Sequence, residues 1–214
     1  MLNSRRVLVL APHTDDAELG VGGTIARFSQ AGADIFIAVF STAEQSLPEG
    51  APEGTLRNEF LASMKQLGLS SERLYVFNFE VRRFNYRRQE ILEELVAMRR
   101  DMEPDVVFLP SSSDVHQDHR VIHYEGLRAF KNSTVLGYEL PWNMFTFEPR
   151  FMVHLTKEHI ELKWAMLENY RTQLELARPY FSKDFIEGLA RVRGVQAGTN
   201  YAEAFETIRV HLGL

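Results

Sequence analysis

Two short windows of the sequence concentrate histidine and aspartate, and each follows an apolar run. Their members are His13, Asp15 and Asp16 in the first window and Asp114, His116, Asp118 and His119 in the second. Imidazole nitrogens and carboxylate oxygens are zinc ligands, and the chain has no cysteine to offer a thiolate. Burying so many unpaired polar groups is costly unless something binds them. The two windows therefore predict a metal site, and the missing thiolates favour a catalytic one.

The elements around the windows indicate how the two clusters meet. Residues 7–10 and 106–109 are apolar runs of strand length, and Pro12 and Pro110 follow them closely. Parallel strands place their carboxyl ends at one edge of a sheet, where open α/β sheets carry their sites. The spacing also allows His13 and Asp16 to turn to one side while Asp15 faces elsewhere. We expect the two clusters to converge at that edge.

The rest of the chain alternates strand and helix patterns. Further predicted strands cover residues 35–40, 73–79, 135–140 and 150–155. Helices are predicted after residue 23, around residues 60–67, 91–102 and 119–130, from Thr156, and over residues 182–193 with an end at Gly194. The pattern predicts a three-layer α/β fold with a mostly parallel, Rossmann-like sheet and helices on both faces. No repeat or domain boundary is visible, so we expect residues 1–214 to form one domain.

Bulk properties exclude several classes of partner. A net charge of −5 argues against a nucleic-acid partner, which would favour a basic face. The N-terminal apolar run is too short for a signal peptide or a membrane span, and Asp15 and Asp16 interrupt it. We therefore expect a cytoplasmic protein with neither a nucleic-acid nor a membrane partner, although the charge says little about the substrate. Residues 43–54, which are rich in proline and glycine, follow a strand and are a candidate lid.

Other catalytic motifs are missing or incomplete. The glycines at positions 20, 22 and 23 do not make G-x-G-x-x-G, because position 25 is isoleucine. His119 and His123 have zincin spacing, but Arg120 stands where the general-base glutamate belongs. Neither a P-loop nor a G-x-S-x-G elbow occurs.

The motifs resemble those of one known family. Residues 11–20, APHTDDAELG, with the following Gly22-Gly23-Thr24, resemble the N-terminal signature of the LmbE-like/PIG-L family of zinc-dependent de-N-acetylases. Residues 116–119, HQDH, resemble that family's second motif, and residues 57–59 and 190–206 are similar to further family segments. Thr14 replaces the usual proline of the first motif, and Ala17 follows the aspartate pair.

The resemblance implies a set of metal ligands and a base. His13, Asp16 and His119 would bind one zinc ion per chain, and other divalent transition metals suit the same ligands. Asp15 would act as the general base toward a water molecule.

Four further roles follow from the resemblance. His116, if protonated, would donate to the developing oxyanion, and Asp118 would orient His116. Arg57 and Glu59 would contact the substrate. Family members commonly form oligomers, so a homo-oligomer is possible.

The implied activity is zinc-dependent removal of the N-acetyl group from an N-acetylglucosamine-type sugar or its conjugate. Hydrolysis of a non-sugar amide by the same metal site is the alternative. A phosphoesterase usually needs two metals and more carboxylates. A binding module without activity would be expected to lack a ligand or the base, and none is missing.

Overall fold

A computed structural model of the chain describes residues 6–47 and 50–211. Its strands are β1 (Arg6–His13), β2 (Asp34–Ser41), β3 (Leu74–Val76), β4 (Val106–Pro110), β5 (Thr134–Tyr138), β6 (Phe151–Leu155) and β7 (Tyr201–Arg209). They form one seven-stranded sheet in the order β3-β2-β1-β4-β5-β7-β6. Strands β1 to β5 are parallel, and β7 runs antiparallel to β5 and β6.

Helices link the strands and cover the sheet. They are α1 (Asp16–Gln30), α2 (Thr55–Gln66), α3 (Arg88–Met102), α4 (Gln117–Ala129), α5 (Lys157–Leu167), α6 (Arg171–Glu175) and α7 (Lys183–Ala197). Among the described residues, no helix combines the length and the apolarity that a membrane span requires.

Successive side chains along each strand point to opposite faces of the sheet, so the hydrophobic core consists of two layers. In β1, Val7 and Val9 pack on one face of the sheet, and Leu8 and Leu10 pack on the other. The first face is covered by apolar side chains of α1, α2, α5 and α7, and the second face by those of α3 and α4. The predicted three-layer α/β fold with helices on both faces is confirmed.

A buried ion pair ties α1 to the C-terminal part of the sheet. Lys163 of α5 donates to Glu203 of β7 at 2.7 Å and to the carbonyl oxygen of Leu19 at 2.7 Å. The same carboxylate accepts the backbone N–H groups of Gly23 and Thr24. Side chains at positions 22 and 23 would collide with Lys163 and Leu155, so glycine permits this close packing.

Some elements differ from the prediction. Helix α4 begins at Gln117 rather than after His119, so the second His/Asp motif lies on its first turn. Helix α7 continues to Ala197 and ends at Gly198, whose φ of +70° suits glycine. Strand β7 was not predicted, and it is the element that makes this end of the sheet antiparallel.

Candidate functional site

Between the neighbouring strands β1 and β4, the chain changes the side of the sheet to which it adds successive strands. The chain passes outward from β1 through β2 to β3 on one side, and from β4 to β5 on the other. Such a switch point opens a crevice at the carboxyl ends of the two central strands. His13 is the last residue of β1, and Asp16 begins α1. The segment after β4 brings Asp114, His116 and the first turn of α4 to the same crevice, as predicted.

An open cleft of about 300 Å³ occupies this crevice. Its floor contains the predicted residues His13, Asp15, Asp16, His116 and His119. Its walls come from the loops after β2 and β3, from the turn after β5 and from the α6 region. Ala43 and Ser46 of the candidate lid line the cleft, whereas residues 48 and 49 of that loop lie outside the described residues.

Three ligand atoms form a nearly equilateral triangle on the floor. His13 Nδ1 lies 3.2 Å from Asp16 Oδ2, His119 Nε2 lies 3.3 Å from the same oxygen, and the two nitrogens are 3.3 Å apart. Ligands at about 2.0–2.1 Å from a tetrahedral zinc ion are separated by about 3.3 Å. The residues present therefore fit a metal with one open coordination position.

A separate carboxylate fixes the orientation of each imidazole in the triangle. Asp118 Oδ2 lies 3.1 Å from His13 Nε2, and Asp114 Oδ2 lies 2.7 Å from His119 Nδ1. Each outer nitrogen therefore donates its proton to a carboxylate, so that loss of the second ring proton frees the inner nitrogen to bind a metal. This outer pairing is typical of metal-binding histidines.

The structure places Asp118 differently from its predicted role. The Asp118 carboxylate contacts His13 and the backbone N–H of Arg82, not the ring of His116. Asp118 contacts His116 through the backbone, since its N–H donates to His116 Nδ1 at 3.2 Å. The reason is geometric: His116 caps α4, and Asp118 lies on its first turn with its side chain directed toward β1.

His116 is a neutral donor rather than a cation in the metal-free protein. Burial, together with the neighbouring His119 and His13, lowers the pKa of His116 to about 4. Because Nδ1 accepts the Asp118 N–H, the ring proton resides on Nε2. The predicted hydrogen-bond donor is present, but the condition that His116 be protonated is not met near neutral pH.

His116 also belongs to a second possible ligand set. The rings of His13, His116 and His119 each offer a nitrogen within 4.8 Å of the others. That set is looser than the triangle with Asp16, and His116 Nδ1 already accepts a hydrogen bond. The distances therefore favour His13, Asp16 and His119.

Charges within the floor are strongly coupled. Burial lowers the pKa of His119, but Asp16 and Asp114 outweigh this effect and raise that pKa to about 10. The two histidines hold the pKa of Asp16 below its usual range despite its burial. Burial and the adjacent Asp16 raise the pKa of Asp15 to about 6. Near neutrality Asp15 is mostly ionised and can accept a proton.

A buried network supports the turn that carries the aspartate pair. Tyr170 donates to the Thr14 carbonyl oxygen and lies 2.6 Å from Glu18 Oε1, which also accepts from Ser63 at 2.6 Å. Glu18 is completely buried, and burial raises its pKa to about 8. This network holds the backbone between His13 and Asp16 in place.

The predicted substrate contacts do not lie at the cleft. Arg57 is exposed, and neither Arg57 nor Glu59 contributes to the cleft lining. Glu59 accepts from the backbone N–H and the hydroxyl of Thr172, so it fixes the start of α6. Helical spacing alone could not reveal this contact across 113 positions of sequence.

Several cleft residues were not identified from the sequence. Trp142 lines the cleft without having been assigned to the site, and Asp114, which lies outside the lining but contacts His119, received no role. Arg82, Arg178 and Tyr180 gave no signal, because they lie in irregular segments that match no motif.

Comparison with known proteins agrees with the motifs. The family described as PIG-L, GlcNAc-PI de-N-acetylase, matches residues 8–130. The chain is 24% identical to a diacetylchitobiose deacetylase of Thermococcus kodakarensis, with coverage of 95% of this chain and 83% of the relative. It is 28% identical to the uncharacterized deacetylase YaiS of Escherichia coli, covering 79% of this chain and 93% of that protein.

A solved structure supports the fold. The N,N'-diacetylchitobiose deacetylase from Pyrococcus horikoshii, complexed with its inhibitor MPG, matches with a TM-score of 0.80 at 23% identity. The match covers 96% of this chain and 84% of that one. The family match spans more than half of the sequence and includes both His/Asp motifs, so the chain belongs to the PIG-L (LmbE-like) family of de-N-acetylases.

Proposed function

We propose that this protein is a zinc-dependent hydrolase that removes the N-acetyl group from an N-acetylglucosamine-type amino sugar or its conjugate. The products are acetate and a free amine, and residues 1–214 act as one catalytic domain. The observation that carries the proposal is the triangle of His13 Nδ1, Asp16 Oδ2 and His119 Nε2, with Asp15 lining the same cleft.

The three triangle residues would hold the metal. When bound, zinc supplies Lewis-acid polarisation of the amide carbonyl and lowers the pKa of a water molecule from about 16 to about 7. Asp118 and Asp114 hold the two imidazoles in the tautomers that this role requires. The same ligands also suit iron(II), cobalt(II) or nickel(II).

The remaining chemistry belongs to Asp15 and His116. Asp15 takes a proton from the attacking water, for which its pKa of about 6 is well suited. His116 donates its Nε2 proton in a hydrogen bond to the carbonyl oxygen as negative charge develops there. Asp15, then protonated, returns the proton to the leaving nitrogen, so that the amine departs neutral.

The substrate class rests on the relatives and on the cleft. The T. kodakarensis and P. horikoshii proteins are diacetylchitobiose deacetylases, and the family description names a GlcNAc conjugate. The cleft is open, with a volume of about 300 Å³, and the stacked rings of Trp142 and Tyr180 form part of its wall. A non-sugar amide remains the alternative for the same site.

Release of free acetate from a panel of N-acetylglucosamine derivatives and simple N-acetyl amines tests the proposal. We expect release from the sugars, its loss after chelation and its recovery with added zinc. Asp15→Asn should lower the rate about 10²–10⁴-fold while metal binding persists. Asp101→Asn, at an exposed position on α3, is the matched control. Release from simple amines alone would favour the alternative, and release from neither would refute the proposal.

A further inference from the structure

The turn between β1 and α1 carries the aspartate pair. Strand β1 ends at His13 and α1 begins at Asp16, so neither element includes Thr14 or Asp15. The His13 N–H donates to Asp16 Oδ2 at 2.8 Å, but that oxygen is also a corner of the ligand triangle. This bond therefore ties the turn to its own ligand and not to the rest of the protein.

Threonine at position 14 leaves the backbone of this turn less restricted than the usual residue would. Proline, which is usual at this position of the motif, locks φ at about −65°, whereas threonine does not. Misplacing a reacting group by about 1 Å can lower a rate about 100-fold. A contact from outside the turn is therefore needed to keep Asp15 and Asp16 in place.

Tyr170 provides such a contact. Its hydroxyl donates to the Thr14 carbonyl oxygen and lies 2.6 Å from Glu18 Oε1. The Tyr170 ring is completely buried, and it packs against Phe181 with the ring centroids 6.3 Å apart. Because a close-packed interior leaves a buried ring little freedom to move, the hydroxyl can define the position of the carbonyl that it binds.

The backbone that carries Tyr170 has an anchor of its own. Tyr170 directly precedes α6, and the first turn of α6 is fixed to α2 because Glu59 accepts both the N–H and the hydroxyl of Thr172. The chain after α6 forms part of the cleft wall, where Arg178 interacts electrostatically with Asp15. Removing the Tyr170 hydroxyl should therefore free the turn and leave the wall in place.

We propose that Tyr170 is a positioning residue of this site: its hydroxyl fixes the Thr14 carbonyl and so places Asp15 and Asp16 for reaction and for metal binding. The hydroxyl supplies from outside the turn the restriction that a proline ring would supply from within it. The effect on the rate rests on the proposed function. The effect on metal affinity does not depend on which substrate the protein cleaves.

Tyr170→Phe removes the hydroxyl and keeps the ring. We expect zinc affinity, measured by competition with a chromophoric chelator, to fall about tenfold or more. Acetate release from an N-acetylglucosamine substrate at saturating zinc measures the rate. There kcat should fall about 10–100-fold while KM changes little, because the wall keeps its anchor at Glu59.

Tyr138→Phe is the matched control. Tyr138 is likewise completely buried, and its hydroxyl also donates to a backbone carbonyl, that of Leu10, at 3.1 Å. Leu10 lies inside β1, where its pairing with Ala38 of β2 fixes its position without the hydroxyl. Urea unfolding should show a loss of stability in both variants, whereas zinc affinity and kcat should change only in Tyr170→Phe.

Introducing the usual proline tests where Tyr170 acts. Thr14→Pro, added to Tyr170→Phe, should recover part of the lost zinc affinity and kcat, because the proline ring again restricts the backbone of the turn.

The outcomes separate this inference from the proposed function. Equal losses of zinc affinity and kcat in the two tyrosine variants, or a loss in Tyr170→Phe that Thr14→Pro does not reduce, would overturn the inference even if acetate is released. Wild-type protein that binds zinc and releases no acetate would refute the proposed function. If zinc affinity still falls in Tyr170→Phe alone, Tyr170 is retained as a positioning residue of the metal site.

Discussion

Each imidazole of the triangle depends on its own carboxylate. Asp118 holds His13, and Asp114 holds His119, through hydrogen bonds to the nitrogen opposite the metal position. These contacts decide which nitrogen carries the proton, and they restrict rotation of the rings. The site therefore extends beyond the three ligands to two further aspartates.

Removing either outer carboxylate should weaken metal binding. We expect Asp114→Asn to reduce zinc affinity about 10–100-fold, because an amide is a weaker acceptor for the His119 Nδ1 proton. Competition with a chromophoric chelator measures the affinity, and Asp101→Asn again serves as control. Unchanged affinity in Asp114→Asn would show that His119 needs no outer partner.

Metal binding should release protons. Despite burial, the carboxylates around His13 and His119 raise both pKa values, the second to about 10, so the His119 ring is protonated near pH 7 without metal. Metal requires the neutral rings, so apparent zinc affinity should rise with pH from 6 to 8, by up to about tenfold per unit for each proton released.

Calorimetry in buffers of different ionisation enthalpy counts these protons. We expect at least one, from His119, and none from His116, whose pKa is lowered to about 4. A pH-independent affinity with no proton release would contradict the charge assignment.

At the scale of elements, α1 depends on glycine where it crosses the sheet. A Cβ at Gly20 would lie 2.4 Å from Tyr138 Cδ2. That ring is fully buried, and its hydroxyl donates to the Leu10 carbonyl at 3.1 Å, so it cannot move aside without losing this bond. At Gly188 of α7, by contrast, a Cβ would meet no other atom within 4 Å.

The two glycines should respond oppositely to the same substitution. Gly20→Ala should lower the free energy of unfolding by about 1–3 kcal/mol through overpacking. Gly188→Ala should raise it by about 0.5–1 kcal/mol, because alanine favours the helix and nothing opposes the added methyl group. Urea unfolding of both variants measures the two values, and a change of the same sign in both would contradict the packing described.

At the scale of the whole molecule, patterns within single segments predicted most of the fold. The apolar runs at residues 7–10 and 106–109 identified β1 and β4. The alternation of strands and helices along the chain indicated a parallel sheet, with the site at the carboxyl ends of its strands. Strand β7 was missed because residues 201–209 mix buried and charged positions, including Glu203, whose burial depends on Lys163. Long-range pairing of this kind leaves no periodic signal.

The functional site, like the fold, could be predicted from the sequence only in part. The ionisable residues of the floor were visible because they cluster in sequence beside strands. The partners of those residues were not, since hydrogen bonds such as that between Asp118 and His13 join positions 105 residues apart. The cleft walls, including Arg178, were invisible for a related reason: they depend on how irregular segments fold back.

The central claim is that His13, Asp16 and His119 hold one metal ion on which acetate release depends. The most direct measurement is acetate release from an N-acetylglucosamine substrate as metal-free protein is titrated with zinc. We predict activity that rises linearly and stops rising at one equivalent per chain, and Asp16→Asn protein that neither binds zinc tightly nor gains activity. Full activity without metal, or a plateau at two equivalents, would contradict the account.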